Sequence, residues 1–160
     1  MYESEQHDLV PLTPHDVAYG LTTTLACGYE ETVTATRSAL AAEGFGILTE
    51  IDVLVTLQEK LGAERCQHLA PTLILGACQP TLAAAALTAE PSVALLLPCN
   101  VVVRADGERT VVQALDPATM VELTGNQALH GVAADAAARL RRALAALTRP
   151  GEVTGQALAQ

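Results

Sequence analysis

Residues 73–103 (LILGACQPTLAAAALTAEPSVALLLPCNVVV) constrain the fold more than any other stretch, because two apolar segments flank a run rich in alanine. Residues 73–75 form a short apolar segment of strand length. Pro80 follows where the first turn of a helix tolerates proline, and residues 81–89 favour a helix. Residues 93–103 are almost wholly apolar, which is typical of a strand buried on both faces. The stretch therefore predicts a strand, a helix and a second strand in succession.

Two cysteines border this unit and are its candidate chemical groups. Cys78 lies where the strand gives way to the helix, and helix N–H groups stabilise a thiolate placed there. Cys99 follows Pro98, which has no N–H for sheet pairing and therefore predicts an edge strand or a β-bulge. The polar Asn100 amid apolar residues also indicates a site. Since free cysteine also packs like a small apolar residue, a structural role for each thiol is about as good an explanation.

Composition and charge limit the classes of function. The chain has 160 residues, which favours a single domain. Half of the residues are hydrophobic, but only 2% are aromatic, so the core is expected to be aliphatic. The formal net charge is −9, and an acidic surface repels phosphates, while few rings are present to stack on bases. These features argue against binding of nucleic acid.

The N-terminal sequence and the lengths of the apolar runs predict a soluble, cytoplasmic protein with no membrane partner. Residues 1–16 are polar and acidic, unlike the basic and then apolar layout of a secretory signal. No apolar run reaches the roughly 18 residues expected of a membrane span. In a reducing compartment, the four cysteines are expected to be thiols or ligands instead of structural disulfides.

The rest of the chain predicts further strands and helices around the central unit. We expect strands at 19–26 and 45–51, helices at 30–43 and 53–61, a hairpin of 101–104 with 110–115 across Asp106-Gly107, a helical turn at 117–123 and a last helix ending at 149. The predicted organisation is a flexible N-terminal arm (1–16), a domain (17–123), a C-terminal helix (124–149) and a frayed tail (150–160).

Glu50 and Asp52 lie at a predicted junction of strand and helix, which is a common place for site carboxylates. They would share a face if both were in the strand and diverge if Asp52 began the helix. The simpler interpretation is that Asp52 caps the helix and Glu50 lies at an exposed strand end, and the sequence favours it.

Other metal-ligand residues are sparsely placed. Cys66 and His68 stand in a predicted loop, but a structural zinc site normally has a second pair of ligands, which is missing here. His7 and His15 lie in the predicted arm, where solvated side chains are the usual outcome. The sequence also lacks a Gly-x-Gly-x-x-Gly motif, a P-loop, a Gly-x-Ser-x-Gly motif and a Cys-x-x-Cys pair.

Three segments of the chain resemble the family called domain of unknown function 302 (DUF302). They are GFGILTEIDVLVTLQEKLG, LILGACQPTLAAAALTAEP and VALLLPCNVVV followed by VVQALDPATM, within residues 28–120. The family usually has Gly-Ala-Cys-Asn-Pro where this chain has Gln79 in place of the asparagine. Positions Cys78, Cys99, Glu50 and Asp52 fall within the family motifs, whereas Cys66, His68, the arm and the C-terminal helix lie outside them.

The resemblance implies a fold but no activity. It implies an α/β (α+β) protein, a compact two-layer domain in which helices pack on a mixed or antiparallel sheet of about five strands, and it implies a homodimer. A homodimer would also cover the sheet edges that the proline-containing strand and the hairpin are expected to leave open.

Three functions are consistent with these residues. In the first, Cys78 and Cys99, with Glu50, Asp52 or Asn100 as further candidates, bind a soft metal ion or a metal-bearing cofactor, since thiolates select such metals. In the second, Cys78 is the nucleophile of a thiol redox enzyme and Cys99 is its resolving thiol. In the third, the protein is a structural or regulatory dimer whose cysteines only pack. The sequence identifies no particular small ligand.

Overall fold

The computed structural model describes residues 15–149. The strands are β1 (Gly20–Leu25), β2 (Gly46–Asp52), β3 (Thr72–Cys78), β4 (Cys99–Asp106) and β5 (Arg109–Leu115). The helices are α1 (Tyr29–Ala42), α2 (Val53–Leu61), α3 (Pro80–Ala89), α4 (Ala118–Thr124) and α5 (His130–Leu147), with 3-10 turns at Ala63–Cys66, Pro91–Leu96 and Gln127–Leu129. His7, most of the predicted arm and the predicted tail lie outside the described residues.

The five strands form one sheet in the order β1-β5-β4-β3-β2, and every pair is antiparallel. The α+β fold class is confirmed, and the sheet is antiparallel instead of mixed. The β4–β5 hairpin is also confirmed, with Asp106 opposite Arg109 and Gly107 at a φ of 59°. Helix α3 connects β3 to β4, which are direct neighbours in the sheet.

The prediction of a strand over residues 93–103 is wrong in its first half. Residues Pro91–Leu96 form a 3-10 turn, in which the Val93 N–H donates to the Glu90 carbonyl at 2.9 Å, and β4 begins only at Cys99. A short apolar run does not distinguish a strand from a buried helical turn, and Pro98 cannot donate to a sheet ladder. Val93 is nevertheless fully buried, as its apolar side chain requires.

The predicted edge or bulge at Pro98 is also wrong. Strand β4 occupies the centre of the sheet, and Pro98 precedes it. Only one face of β4 is fully buried, since Val101 and Val103 are 0% exposed while Asn100 is exposed. The bulge lies in β2, where the register shifts between Ile47 and Thr49.

Helices α1 and α5 cover one face of the sheet and form the main core with it. This core is mainly aliphatic, as expected from the composition; within residues 15–149, Phe45 is its one fully buried aromatic ring, and Tyr29 packs against this core while partly buried. Its buried members include Val33 and Leu40 of α1, Leu140 and Leu144 of α5, and Leu75, Val101, Val103 and Val112 of the sheet, together with Phe45. Burying one such side chain contributes about 1.5–3 kcal/mol. Helix α5 is therefore part of the same core as the sheet.

The junction of β2 and α2 follows the local sequence. The Asp52 side chain accepts a hydrogen bond from the Val55 N–H at 3.0 Å, and Gly62 ends the helix at a φ of 86°. The predicted cap at Asp52 is confirmed, because capping depends on residues within one turn. No helix within residues 15–149 has the length and apolar character needed to cross a membrane.

Candidate functional site

Cys78 and Cys99 lie at the same end of the sheet. Cys78 is the last residue of β3, Cys99 is the first residue of β4, and Cys99 pairs with Ala77 across the two strands. After Cys78, the Gln79 side-chain oxygen accepts a hydrogen bond from the Leu82 N–H at 2.7 Å and begins α3, with Pro80 at its first position. The chain therefore turns away from the sheet directly beside both thiols.

The absence of a side chain at Gly76 allows this end of the sheet to close. A Cβ atom at Gly76 would collide with the Thr49 side chain and would lie 2.9 Å from the Pro98 Cγ atom. Since Pro98 leads directly into Cys99, the close approach at Gly76 helps to place the second thiol. This is a requirement for glycine that comes from packing and not from backbone conformation.

Both thiols border one cavity of about 260 Å³, here called the thiol pocket. The β3 and β4 ends, the beginning of β2 and helices α3, α4 and α5 contribute to its wall. The lining residues are Phe45, Leu48, Ala77, Cys78, Gln79, Leu82, Ala83, Ala86, Leu87, Leu97, Pro98, Cys99, Met120, Val132 and Ala136. The wall is thus apolar except for the two thiols and one amide.

The electrostatics of the thiol pocket follow from this lining. Burial raises the pKa of the Cys99 thiol, and the nearby Cys78 raises it further, because negative charge there is poorly solvated and repelled. Cys99 is therefore held in its protonated form over a wider pH range than a free cysteine. A cation that binds Cys99 as thiolate must first displace this proton.

The other candidates from the sequence do not line the thiol pocket. The Glu50 carboxylate forms a two-bond ion pair with Arg37 of α1, with Arg37 Nη2 2.9 Å from Glu50 Oε2, and this lowers the pKa of Glu50. Asp52 caps α2 although it is still within β2. Asn100 is exposed and pairs with Gly76 across the strands. Both carboxylates thus have the structural roles that the sequence favoured.

The remaining cysteines and histidines are also separate from the thiol pocket. Cys66 is 2% exposed in its 3-10 turn while His68 is exposed, and Cys27 is partly buried against the main core. The Nε2 atom of His15 lies 2.9 Å from an Asp106 carboxylate oxygen, so the end of the predicted arm contacts the hairpin. Within residues 15–149, no three His, Cys, Asp or Glu side chains are grouped to hold a metal ion.

Sequence reasoning missed most of the pocket wall. Met120, Val132 and Ala136 come from α4 and α5, far from the cysteines in the chain. Phe45 is the only phenylalanine and Met120 is one of two methionines, which is a weak signal that these side chains have a special place. No rule of sequence spacing could have placed these residues in one cavity with the cysteines, since that placement depends on how the helices pack.

The thiol pocket lies within a region that a family sequence model matches. The model is that of the domain of unknown function DUF302, and it matches residues 21–147. The chain belongs to the DUF302 family. The match includes β1 and α5, so it extends beyond the three segments that carry the resemblance.

A solved structure of the DUF302 family has the same fold. It is described as the crystal structure of an uncharacterized conserved protein DUF302 from Bacillus stearothermophilus, and it shares 30% sequence identity with this chain. The similarity covers 82% of this chain and 99% of that one, with a TM-score of 0.74. No curated protein matches the chain. These comparisons give the DUF302 domain no function.

Proposed function

We propose that this DUF302 domain binds a compact cofactor that carries a soft metal centre, held by the Cys78 and Cys99 thiolates. The observation that carries the proposal is the presence of both thiols in the wall of one cavity. Thiolates bind copper(I), zinc and iron centres, and an apolar wall strengthens such bonds by excluding water.

The number of protein donors favours a metal-bearing cofactor over a bare ion. Two thiols border the thiol pocket, and no His, Asp, Glu or further Cys of the described chain joins them in a metal-binding group, while Met120 is the one thioether in the lining. Most metal centres of this kind have three or four ligands. The remaining positions would therefore be filled by groups that belong to the cofactor.

The size of the thiol pocket limits the cofactor. Sites for drug-sized ligands usually have volumes of about 300–1,000 Å³. The thiol pocket has about 260 Å³, which is too small to enclose a large macrocycle. A small organic ligand on the metal fits better.

A copper(I) competition experiment tests the two protein ligands of the proposal, with Cu(I) as the probe because it accepts two thiolate ligands. The purified protein is titrated with the Cu(I)–bicinchoninate complex, and loss of the coloured complex reports transfer. We expect the parent to take up one Cu(I) per chain, each of Cys78→Ser and Cys99→Ser to bind at least about tenfold more weakly, and the double variant to take up none. The control is Cys27→Ser, which removes a thiol outside the thiol pocket. Equal uptake by the parent and the double variant would end the proposal.

A thiol redox function is the second candidate, favoured because Cys78 and Cys99 border the same cavity and lie close enough for Cys78 to raise the pKa of Cys99. Cys78 and Cys99 would form a disulfide, while a disulfide-bearing small molecule such as oxidised glutathione would be reduced to two thiols. Mass mapping after incubation with oxidised glutathione tests it. A Cys78–Cys99 crosslink that forms and is reversed by reduced glutathione supports this function, and a mixed disulfide that never resolves counts against it.

We also propose that the protein forms a homodimer through β2. In the described chain no strand pairs with the outer edge of β2, and four large apolar side chains of β2 and α2 are exposed. They are Leu48 (66%), Ile51 (46%), Val55 (47%) and Leu61 (50%). Exposed edges and apolar patches tend to bind another chain.

Sedimentation equilibrium tests the homodimer. We expect the parent to sediment as a dimer and Ile51→Lys to shift it towards the monomer, because a charge in the buried contact is costly. Leu95→Lys is the control, since Leu95 is 89% exposed in another part of the fold. A parent that remains monomeric at high concentration would refute the homodimer.

A further inference from the structure

We propose that the organic part of the ligand in the thiol pocket is a neutral, ring-containing apolar group of about ten non-hydrogen atoms with one acceptor oxygen. The inference rests on the proposed function in one respect, that the ligand binds in the thiol pocket. It does not require that the ligand is bonded to the thiolates. It follows from the volume of the thiol pocket, its lack of charge, its one free amide and the character of its wall.

The volume sets the size of the group. An apolar cavity of about 150 Å³ holds benzene, which has six non-hydrogen atoms. The thiol pocket has about 260 Å³ and therefore has room for roughly ten such atoms at similar packing when no metal is bound, and for fewer beside a metal centre. A fused bicyclic ring system has this size, whereas a long chain or a macrocycle exceeds it.

The lining makes the group neutral. No residue that lines the thiol pocket carries a charged side chain. Moving an ion from water into such a wall has a large cost, and the only lining groups that can ionise, the Cys78 and Cys99 thiols, are bonded to the metal in the proposed function and would not offset it. A carboxylate, phosphate or ammonium group would therefore remain outside.

Gln79 supplies one directed polar contact. Its oxygen Oε1 is occupied by the hydrogen bond from the Leu82 N–H. Its amide nitrogen Nε2 donates to no acceptor among residues 15–149. Because Gln79 lines the thiol pocket, we expect a ligand that carries an acceptor such as a carbonyl oxygen to use this nitrogen as its donor.

The wall favours a ring over a chain. Phe45 and Met120 both line the thiol pocket, and both are nearly buried, at 5% and 4% exposure. An aromatic ring gains edge or stacking contacts with phenylalanine, and a thioether sulfur makes favourable contacts with ring edges. Leu87, which lines the thiol pocket and lies outside the proposed homodimer contact, is 40% exposed and provides an apolar path for entry.

A set of three related bicyclic compounds tests the inference by calorimetry with the full chain. Indan-1-one is neutral and has one carbonyl oxygen, indane lacks the oxygen, and indane-1-carboxylate is charged. We expect indan-1-one to bind once per chain, indane about fivefold more weakly, because one neutral hydrogen bond is lost, and the carboxylate at least tenfold more weakly. Equal affinity for the ketone and the carboxylate, or no saturable binding of the ketone, would overturn the inference.

Two substitutions on the same helix locate the binding. Ala83→Leu places three more carbon atoms against the thiol pocket and should weaken indan-1-one at least tenfold. Ala84→Leu is its matched control, because Ala84 is exposed and outside the lining, and it should bind within about twofold of the parent. If the two variants bind equally, the compound does not occupy the thiol pocket.

The unmodified chain provides a second readout should Ala83→Leu fail to fold. Saturating indan-1-one should slow alkylation of Cys78 and Cys99 but not of Cys27, and unchanged rates would contradict the inference.

The Cys78→Ser/Cys99→Ser variant separates this inference from the proposed function. That variant should lose Cu(I) but bind indan-1-one within about threefold of the parent. If the parent takes up Cu(I) through its thiols but does not bind indan-1-one, the proposed metal site is supported and the inference about the organic group is contradicted.

Discussion

Cys99 of β4 pairs with Ala77 of the neighbouring strand β3. Cys78 and Cys99 therefore belong to adjacent antiparallel strands and are offset by one residue in register. The relationship arises because β3 runs into α3 at one end and the chain returns through a 3-10 turn to the same end. Two cysteines twenty-one positions apart in the sequence thereby border one cavity. This placement is the basis for the chemical predictions below.

The first prediction concerns the reactivity of Cys99. Because burial and the neighbouring Cys78 raise its pKa, alkylation by iodoacetamide should rise with pH around a midpoint above that of free N-acetylcysteine. In Cys78→Ser the midpoint should fall only in part, since burial is the larger cause. Residue-resolved mass spectrometry measures both. A Cys99 midpoint at or below that of N-acetylcysteine would contradict the described burial.

The second prediction concerns packing at Gly76. Gly76→Ala should destabilise the fold by about 1–3 kcal/mol, because the new methyl group meets Thr49 and Pro98 and neither is a flexible side chain. Urea unfolding measures the change. Gly131→Ala is the control: a Cβ atom there meets nothing within 4 Å, and the substitution should be neutral or stabilise by up to about 1 kcal/mol. Equal effects of the two substitutions would rule out the close approach.

The third prediction concerns the cap of α2. Asp52→Ala should cost about 0.5–2 kcal/mol, since the Val55 N–H loses its acceptor, whereas Asp52→Asn should retain most of the stability. Helix α2 has no fully buried residue, so its first turn depends strongly on the cap. Hydrogen exchange of the α2 amides should therefore accelerate in Asp52→Ala. Unchanged exchange there would show that tertiary contacts alone hold the helix.

The fourth prediction concerns the ion pair of Arg37 and Glu50. Arg37 lowers the pKa of Glu50 in the folded state, so the pair adds stability above the pKa that Glu50 has when unfolded. That stability is lost as the pH falls through the lowered folded pKa. Glu50→Gln should thus reduce the Tm slightly at pH 7 and not in strong acid. Glu59→Gln, which removes an exposed carboxylate with no ion pair in the described chain, should lack this pH dependence.

Local signals in the sequence determined most of the elements. Pro80 marks the start of α3, Asp52 caps α2, and Gly107-Glu108 forms the two-residue turn of the β4–β5 hairpin directly after Asp106, each through groups within a few positions. Such features depend on backbone conformation and short hydrogen bonds, which a sequence pattern can represent. The two cysteines were likewise identified as the chemical candidates from their place at the ends of the central unit.

Tertiary structure alone decided the order of the strands and the composition of the site. The apolar run before Cys99 allowed either a strand or a 3-10 turn. Packing of Val93 in a second buried cluster selected the turn, and that cluster also contains Ala86, Met120, Leu129 and Ala133. The thiol pocket takes Met120 and Val132 from helices that follow the sheet in the chain. Their place in the same cavity as Cys78 depends on how α4 packs on α5 and how α5 packs on the sheet, because side-chain burial is not directional and sequence spacing carries no record of it.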